Sequence, residues 1–166
     1  MSANKSTRPA AALSPTAAQG KAAFRAYLTA EMMLGQQTAK AVGLSGADFF
    51  GLNIIALTGS VSAGELAERT GLTSGATTRM IDRLEAAGWV RRVHGTEDRR
   101  KVMIEHTGQR RDEIDAVLEP GRRLVGELLQ TYDEEQLAVL FDYFTRATPV
   151  LLAAVEELRQ MGNARD

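Results

Sequence analysis

Residues 60–106, SVSAGELAERTGLTSGATTRMIDRLEAAGWVRRVHGTEDRRKVMIEH, carry the pattern that decides how this chain folds. Ser62 and Glu65 stand at capping-box spacing: the hydroxyl takes a free amide of a first helical turn while the carboxylate reaches back to the cap's own N–H. The helix they open runs to about Thr70, where Gly71 supplies the left-handed residue that a stop requires. After a four-residue turn, Thr73 caps a second helix. On a 3.6-residue wheel Ala76, Met80, Ile81, Leu84 and Ala87 share one side, and Gly75, Thr78, Arg79 and Asp82 fall opposite, so one face is apolar and the other polar. Gly88 closes that helix. WVRRV then starts an alternating segment that resumes at KVMIEH beyond the turn-rich HGTEDRR, which predicts a β-hairpin. Two strands alone are marginal, so the hairpin is expected to lean on the helices with Trp89, Val93, Val102 and Ile104 inward.

Helix, tight turn, helix and basic hairpin in this order make a winged helix-turn-helix, the geometry that lays one helix in the major groove of double-stranded DNA with a loop beside it. On the second helix Ser74, Thr78 and Arg79 are candidates to touch bases or phosphates, and Gly75 lets the helix N-terminus come close to a backbone phosphate. Arg83 lies to one side, as a phosphate contact or an intramolecular partner of Asp82 or Glu85. Arg99, Arg100 and Lys101 sit at the hairpin tip, where a cluster of cations suits phosphate. Arg91 and Arg92 alternate, so only one of them points toward DNA.

The run LTSGATTRMIDRLEAAGWV, followed by EDRRK and by a Thr that opens the next helix, resembles the MarR family of bacterial transcriptional regulators. Two positions depart from the family pattern: Thr77 stands where an apolar residue is common, and His106 replaces the usual aliphatic residue before the Thr. The resemblance implies a mainly α fold, with a small hairpin wing and a homodimer whose dimerisation helices flank the winged helix. These would fall at about 16–42, 108–131 and 134–160, giving a tail over 1–15, an N-terminal dimerisation segment over 16–44, a DNA-binding lobe over 45–107 and C-terminal dimerisation helices over 108–166. It further implies that Asp98 braces the wing, that Arg100 enters the minor groove, and that a pseudopalindromic operator is bound by a repressor which a small aromatic or phenolic ligand releases. For that ligand the junction near Tyr27, Phe50, Asn53 and Arg92 combines an aromatic wall, a neutral hydrogen-bonding group and a cation.

The whole chain agrees with this class. Its 166 residues suffice for one domain with a core, or for one chain of an intertwined dimer. Aromatic residues make up only 5%, so packing rests on Leu, Ala, Val, Ile and Met. The absence of cysteine excludes a disulfide framework and thiol-based sensing, and fits a cytoplasmic protein. No run of about eighteen continuous apolar residues and no apolar leader is visible, so neither membrane insertion nor export is expected. Residues 1–15, polar, Ala-rich and Pro-containing, are expected to be disordered. The net charge of −1 conceals a division: Lys and Arg against Asp and Glu give +3 over 1–59, +3 over 60–111 and −7 over 112–166. The basic part holds the proposed reading head, whose local field matters more than the total.

Phe24, Tyr27, Leu28, Glu31, Met32, Gly35, Thr38 and Val42 form a stripe on the first helix, expected to be core, to face a second subunit or, with Met32 and Met33 as an adaptable wall, to line a cavity. Ser45 and Asp48 suggest a further cap, opening a helix with an apolar stripe of Phe50, Ile54 and Leu57. Asn53 interrupts that stripe and, if buried, needs partners. Pro120 is expected to start or kink a helix and Pro149 to bend or restart one, since proline lacks a donor. His94 and His106 are isolated from ligand-spaced partners, and no phosphate-binding loop or G-x-S-x-G elbow appears, so no metal, cofactor or enzymatic activity is expected. Two other functions remain open: a winged helix whose basic wing docks an acidic protein, and an enzyme on a borrowed scaffold.

Overall fold

A computed structural model describes residues 15–95 and 101–163. Residues 1–14 of the predicted tail, and Asp98, Arg99 and Arg100 of the wing, lie outside the described residues, while Pro15, the last residue assigned to the tail, begins a helix. The elements run α1 (Pro15–Ala41), α2 (Gly46–Thr58), β1 (Ser60–Ser62), α3 (Ala63–Thr70), α4 (Ser74–Ala86), β2 (Val90–His94), β3 (Val102–His106), α5 (Arg111–Leu129) and α6 (Glu134–Asn163). The fold is mainly helical, with a small antiparallel sheet. It divides into two compact units, the first ending at Leu118 and the second beginning at Glu119.

In the first unit the core is drawn from every element between the end of α1 and β3. Val42, Leu52, Ile55, Val61, Leu66, Met80, Ile81, Leu84, Trp89, Val90 and Ile104 are all buried, and Ile114 and Val117 of α5 pack against them. The hairpin does not rest on helices alone. β1 pairs with β3 in the order β1-β3-β2, Val61 opposite Ile104, so the wing is the outer part of a three-stranded sheet. This resolves the marginality of two isolated strands.

Register corrects the expected inward set. Val90 faces His106 and Arg92 faces Ile104, while Val93 faces Met103 one residue out of phase. By alternation the core face therefore carries Val90 and Ile104, and Val93 belongs to the other side. Val102, at the far end of its strand, is exposed.

The buried face of α2 also differs from the expected Phe50, Ile54 and Leu57. Asp48, Gly51, Leu52 and Ile55, at i, i+3, i+4 and i+7, turn inward together with Phe49 and Ile54. Phe50 and Asn53 are exposed, and Leu57 is 88% exposed. An apolar helix of this kind leaves its face undecided on the wheel, and close packing decides it. A β-carbon on Gly51 would stand 2.7 Å from Met80 Sδ, so the glycine leaves room for the Met80 side chain of α4.

On α1 the expected stripe is covered only at its C-terminal end, by Thr38, Ala39 and Val42. Phe24, Tyr27, Leu28, Met32 and Met33 remain exposed.

In the second unit α6 shows the same exposure. Phe141, Phe144, Leu151, Leu152 and Leu158 all face outward. Pro120 and Pro149 neither start nor restart a helix, since α5 and α6 run through them. Over Glu134–Gly162 α6 is long and apolar enough to cross a bilayer by length and composition, although isolated charges break it into shorter apolar runs.

Candidate nucleic-acid interface

The two helices of the motif start where the sequence places them. The Glu65 amide donates to Ser62 Oγ at 3.2 Å and the Ser62 amide to Glu65 Oε2 at 2.8 Å, a complete capping box. Bonds from the Ser62 hydroxyl and amide, with the charges of Arg69 and Lys101 behind them, hold the Glu65 carboxyl below its ordinary range. Gly71 takes φ 72° and ψ 14°, the left-handed stop. Thr73 then caps α4 by accepting from Ala76 N at 3.3 Å. Thr77 is buried, and its hydroxyl donates to Thr73 O at 3.1 Å. A polar residue in an apolar place is thus satisfied by its own helix.

Met80, Ile81 and Leu84 hold α4 in the core, and Ser74, Gly75, Thr78, Arg79, Asp82 and Arg83 are exposed. Ala87, expected on the buried side, is exposed at the helix end. The Arg79 side chain runs back along the helix, with Nη1 3.7 Å from where a β-carbon on Gly75 would stand. Among the described residues it has no hydrogen-bond or ion-pair partner. Arg83 differs. Its Nε donates to Asp48 Oδ2 at 3.1 Å and its Nη2 to Asp48 Oδ1 at 2.6 Å, so its partner is neither Asp82 nor Glu85. Burial penalises the charged Asp48 carboxylate, yet bonds from Arg83 and Ser45 and the charge of Arg83 outweigh this and lower its pKa.

Asp82 and Glu85 are instead held by Arg92. Its Nη2 lies 2.5 Å from Asp82 Oδ1, its Nη1 binds Glu85, and its backbone amide donates to Glu85 Oε1 at 3.1 Å. Because β2 is an edge strand, that amide would otherwise face solvent. Arg91, on the other face, pairs with Glu105 at 3.3 Å. Neither arginine of the WVRR run is uncommitted. Lys101 is exposed and within the field of Glu65.

Below the wing, Trp89 is fully buried, its ring 4.1 Å beneath the Arg110 guanidinium. His106 meets that ring edge-on at 6.4 Å and accepts from the Gly108 amide through Nδ1 at 3.1 Å. The unusual histidine is therefore part of the packing. Burial, followed by the charge of Arg111, lowers its pKa. Thr107 ties the sheet to the end of α4 by donating to Gly88 O at 2.7 Å.

The residues expected to bind a ligand are not assembled. Tyr27, Phe50 and Asn53 are exposed on α1 and α2, the Arg92 guanidinium is occupied, and no hydrogen bond or ring contact joins any two of the four. Burial and Glu31 raise the pKa of the Tyr27 hydroxyl. A cleft of about 850 Å³ lies elsewhere, between the start of α3 and the outer face of the sheet, lined by Ser62, Glu65, Val93, Lys101 and Met103. Among the described residues no group of three or more His, Cys, Asp or Glu is placed to hold a metal ion.

The MarR family model matches residues 44–102, the lobe whose geometry is given above. A relative, the uncharacterized HTH-type transcriptional regulator YcgE of Bacillus subtilis, is 33% identical over 82% of this chain and 89% of its own length. This chain belongs to the MarR family. Its fold is also that of a MarR family protein from Bacillus stearothermophilus, with a TM-score of 0.63 at 20% identity over 85% of this chain and 99% of the other. A mutant MarR from E. coli, solved in complex with operator DNA, superposes with a TM-score of 0.50 at 23% identity, covering 76% of this chain and 91% of its own.

The sequence misses one residue of this interface, Asp48. Its place three residues after Ser45 accounts for it as part of a cap, and only the position shared with Gly51, Leu52 and Ile55 signals that it faces inward.

Proposed function

We propose that this MarR-family protein is a homodimeric, sequence-specific regulator of transcription that lays α4 in the major groove of a pseudopalindromic operator. The observation that carries this reading is the exposed face of Ser74, Gly75, Thr78 and Arg79 on a helix anchored in the core, with Arg79 uncommitted. Arg79 supplies the fork that suits a guanine edge, and Ser74, Thr78 and the helix N-terminus take phosphates. Lys101 offers an exposed cation on the wing, and contacts of Arg99 and Arg100 with the backbone or minor groove are proposed from the family resemblance alone.

The dimer is supported by the apolar residues exposed along α1 and α6, which a second copy would cover. A DNA-binding role also favours this occupant of α6 over a bilayer, and a cytoplasmic site of action. Repression with release by a small aromatic or phenolic ligand rests on the family alone. Tyr27, Phe50 and Asn53 offer exposed aromatic and amide groups for it, whereas Arg92 joins them only if it leaves Asp82 and Glu85.

The test is selection of bound fragments from the source genome, followed by anisotropy with a selected and a random duplex at two salt concentrations. Selective, strongly salt-dependent binding is expected, and Arg79→Ala should lose about 1–3 kcal/mol of discrimination. Salt-insensitive binding without sequence preference would favour a protein-docking module instead.

A further inference from the structure

We infer that Arg83 is a positioning residue and not a DNA contact: its two-pronged bond to Asp48 ties α4 to α2 and sets the angle at which Thr78 and Arg79 are presented. The inference rests on the DNA-binding reading above and assigns that interface a component outside the reading face.

The geometry is specific. Two parallel bonds, 3.1 and 2.6 Å long, join residues 35 apart in sequence and on different helices. The fork fixes direction as well as distance, which a single ammonium would not. Asp48 is held before Arg83 reaches it, because its amide donates to Ser45 Oγ at 3.1 Å and its side chain is only 7% exposed. If Arg83 swung out to a phosphate, it would strand a nearly buried carboxylate without its cation. One turn along α2, Gly51 meets Met80 without a side chain between them, so the tie and the close approach lie on the same pair of helices.

Arg92 holds the other flank of α4 through Asp82 and Glu85, offsetting part of the negative charge that these two acids would turn toward phosphate. Of the two arginines on α4, one is therefore committed to the scaffold and one is available to DNA. Each additional phosphate contact raises affinity for every sequence alike, whereas a fixed angle raises only the affinity of the correct one.

The experiment compares the full-length parent with Asp48→Asn, Arg83→Lys, Arg83→Gln, the double variant Asp48→Asn with Arg83→Lys, and Arg79→Ala as a reading-face reference. Operator and random duplexes are titrated across salt, with each preparation corrected for its active fraction, so a loss of folded protein does not alter the affinity ratio. Asp48→Asn and Arg83→Lys should each lower the operator-to-random ratio about tenfold, and the double variant should be no worse than either. The salt slope should match the parent throughout, Arg83→Gln included. The inference is overturned if Arg83→Lys keeps the parental ratio, or if Arg83→Gln flattens the salt slope by about one phosphate contact while Asp48→Asn leaves it alone. A parent that does not prefer operator, or an Arg79→Ala variant that binds like the parent, would instead sink the DNA-binding reading itself.

Discussion

Between Gly46 and His106 most large apolar side chains turn inward, with Phe50, Leu57, Val93, Val102 and Met103 as exceptions, whereas α6 keeps Phe141, Phe144, Leu151 and Leu158 in the open. Both stretches are rich in Leu, Val and Phe, so these residues do not separate them. The difference lies in what each can pack against. The winged-helix lobe combines three helices, a sheet and the end of α1 around Trp89, Leu66 and Ile55, and thus closes its own core. A single long helix has no other face of its own to cover, and an exposed apolar stripe of this extent asks for a partner. One region closes a core within its own chain, and the other leaves an apolar surface that the proposed homodimer would cover.

The sharpest break of this comparison is on α6. Leu151→Asp with Leu158→Asp, two turns apart on one face, should weaken self-association by on the order of 100-fold or more in sedimentation equilibrium, because charge is placed in a desolvated contact. Trp89 is the only tryptophan and lies in the lobe core, so its fluorescence follows the lobe during denaturation. That signal should remain cooperative in the variant. If lobe and dimer are lost together, the lobe is not self-sufficient.

Inside the lobe, Leu66→Ala should cost about 2–5 kcal/mol by urea titration, since the side chain is fully buried and leaves a cavity. Gly51→Ala should cost about 1–3 kcal/mol, as the new methyl displaces the Met80 thioether it would otherwise meet at 2.7 Å. A neutral result would show that the Met80 thioether re-orients without cost. Ser62→Ala removes the cap of α3 and should cost about 1 kcal/mol.

The smallest effect is expected with pH. His106 has a lowered pKa in the folded state, so the unfolded chain binds the proton more readily, and the stability tied to the neutral ring is present above the ordinary histidine range. It is lost as pH falls through the lowered folded value. His106→Gln should flatten that part of the stability profile. Asp48 and Glu65 act further down, each contributing above the ordinary carboxylate range and ceasing to contribute as pH falls through its depressed folded value.

The helix-turn-helix was legible because its signals are local. Ser62 with Glu65, the left-handed Gly71, Thr73 and the polar face of α4 each act within a few residues of chain, and no distant packing overrides them. The face of α2 was not legible, since apolar residues surround that helix and only contact with Met80 selects the side bearing Gly51. Strand alternation predicted a hairpin, but register placed Val93 away from Ile104, and β1 was too short to announce itself.

The candidate site divides along the same line. Residue type and helical period by themselves determined which side chains of α4 face outward, because a helix anchored by Met80, Ile81 and Leu84 has no choice about its opposite face. Which arginines remain available was decided only by the tertiary structure. Arg79, Arg83, Arg91 and Arg92 carry the same charge and all lie in the basic stretch, yet three of them meet a carboxylate from another element, Asp48, Glu105, or Asp82 and Glu85. Charge is a property of the residue, but its availability depends on what the fold brings within about 4 Å of it.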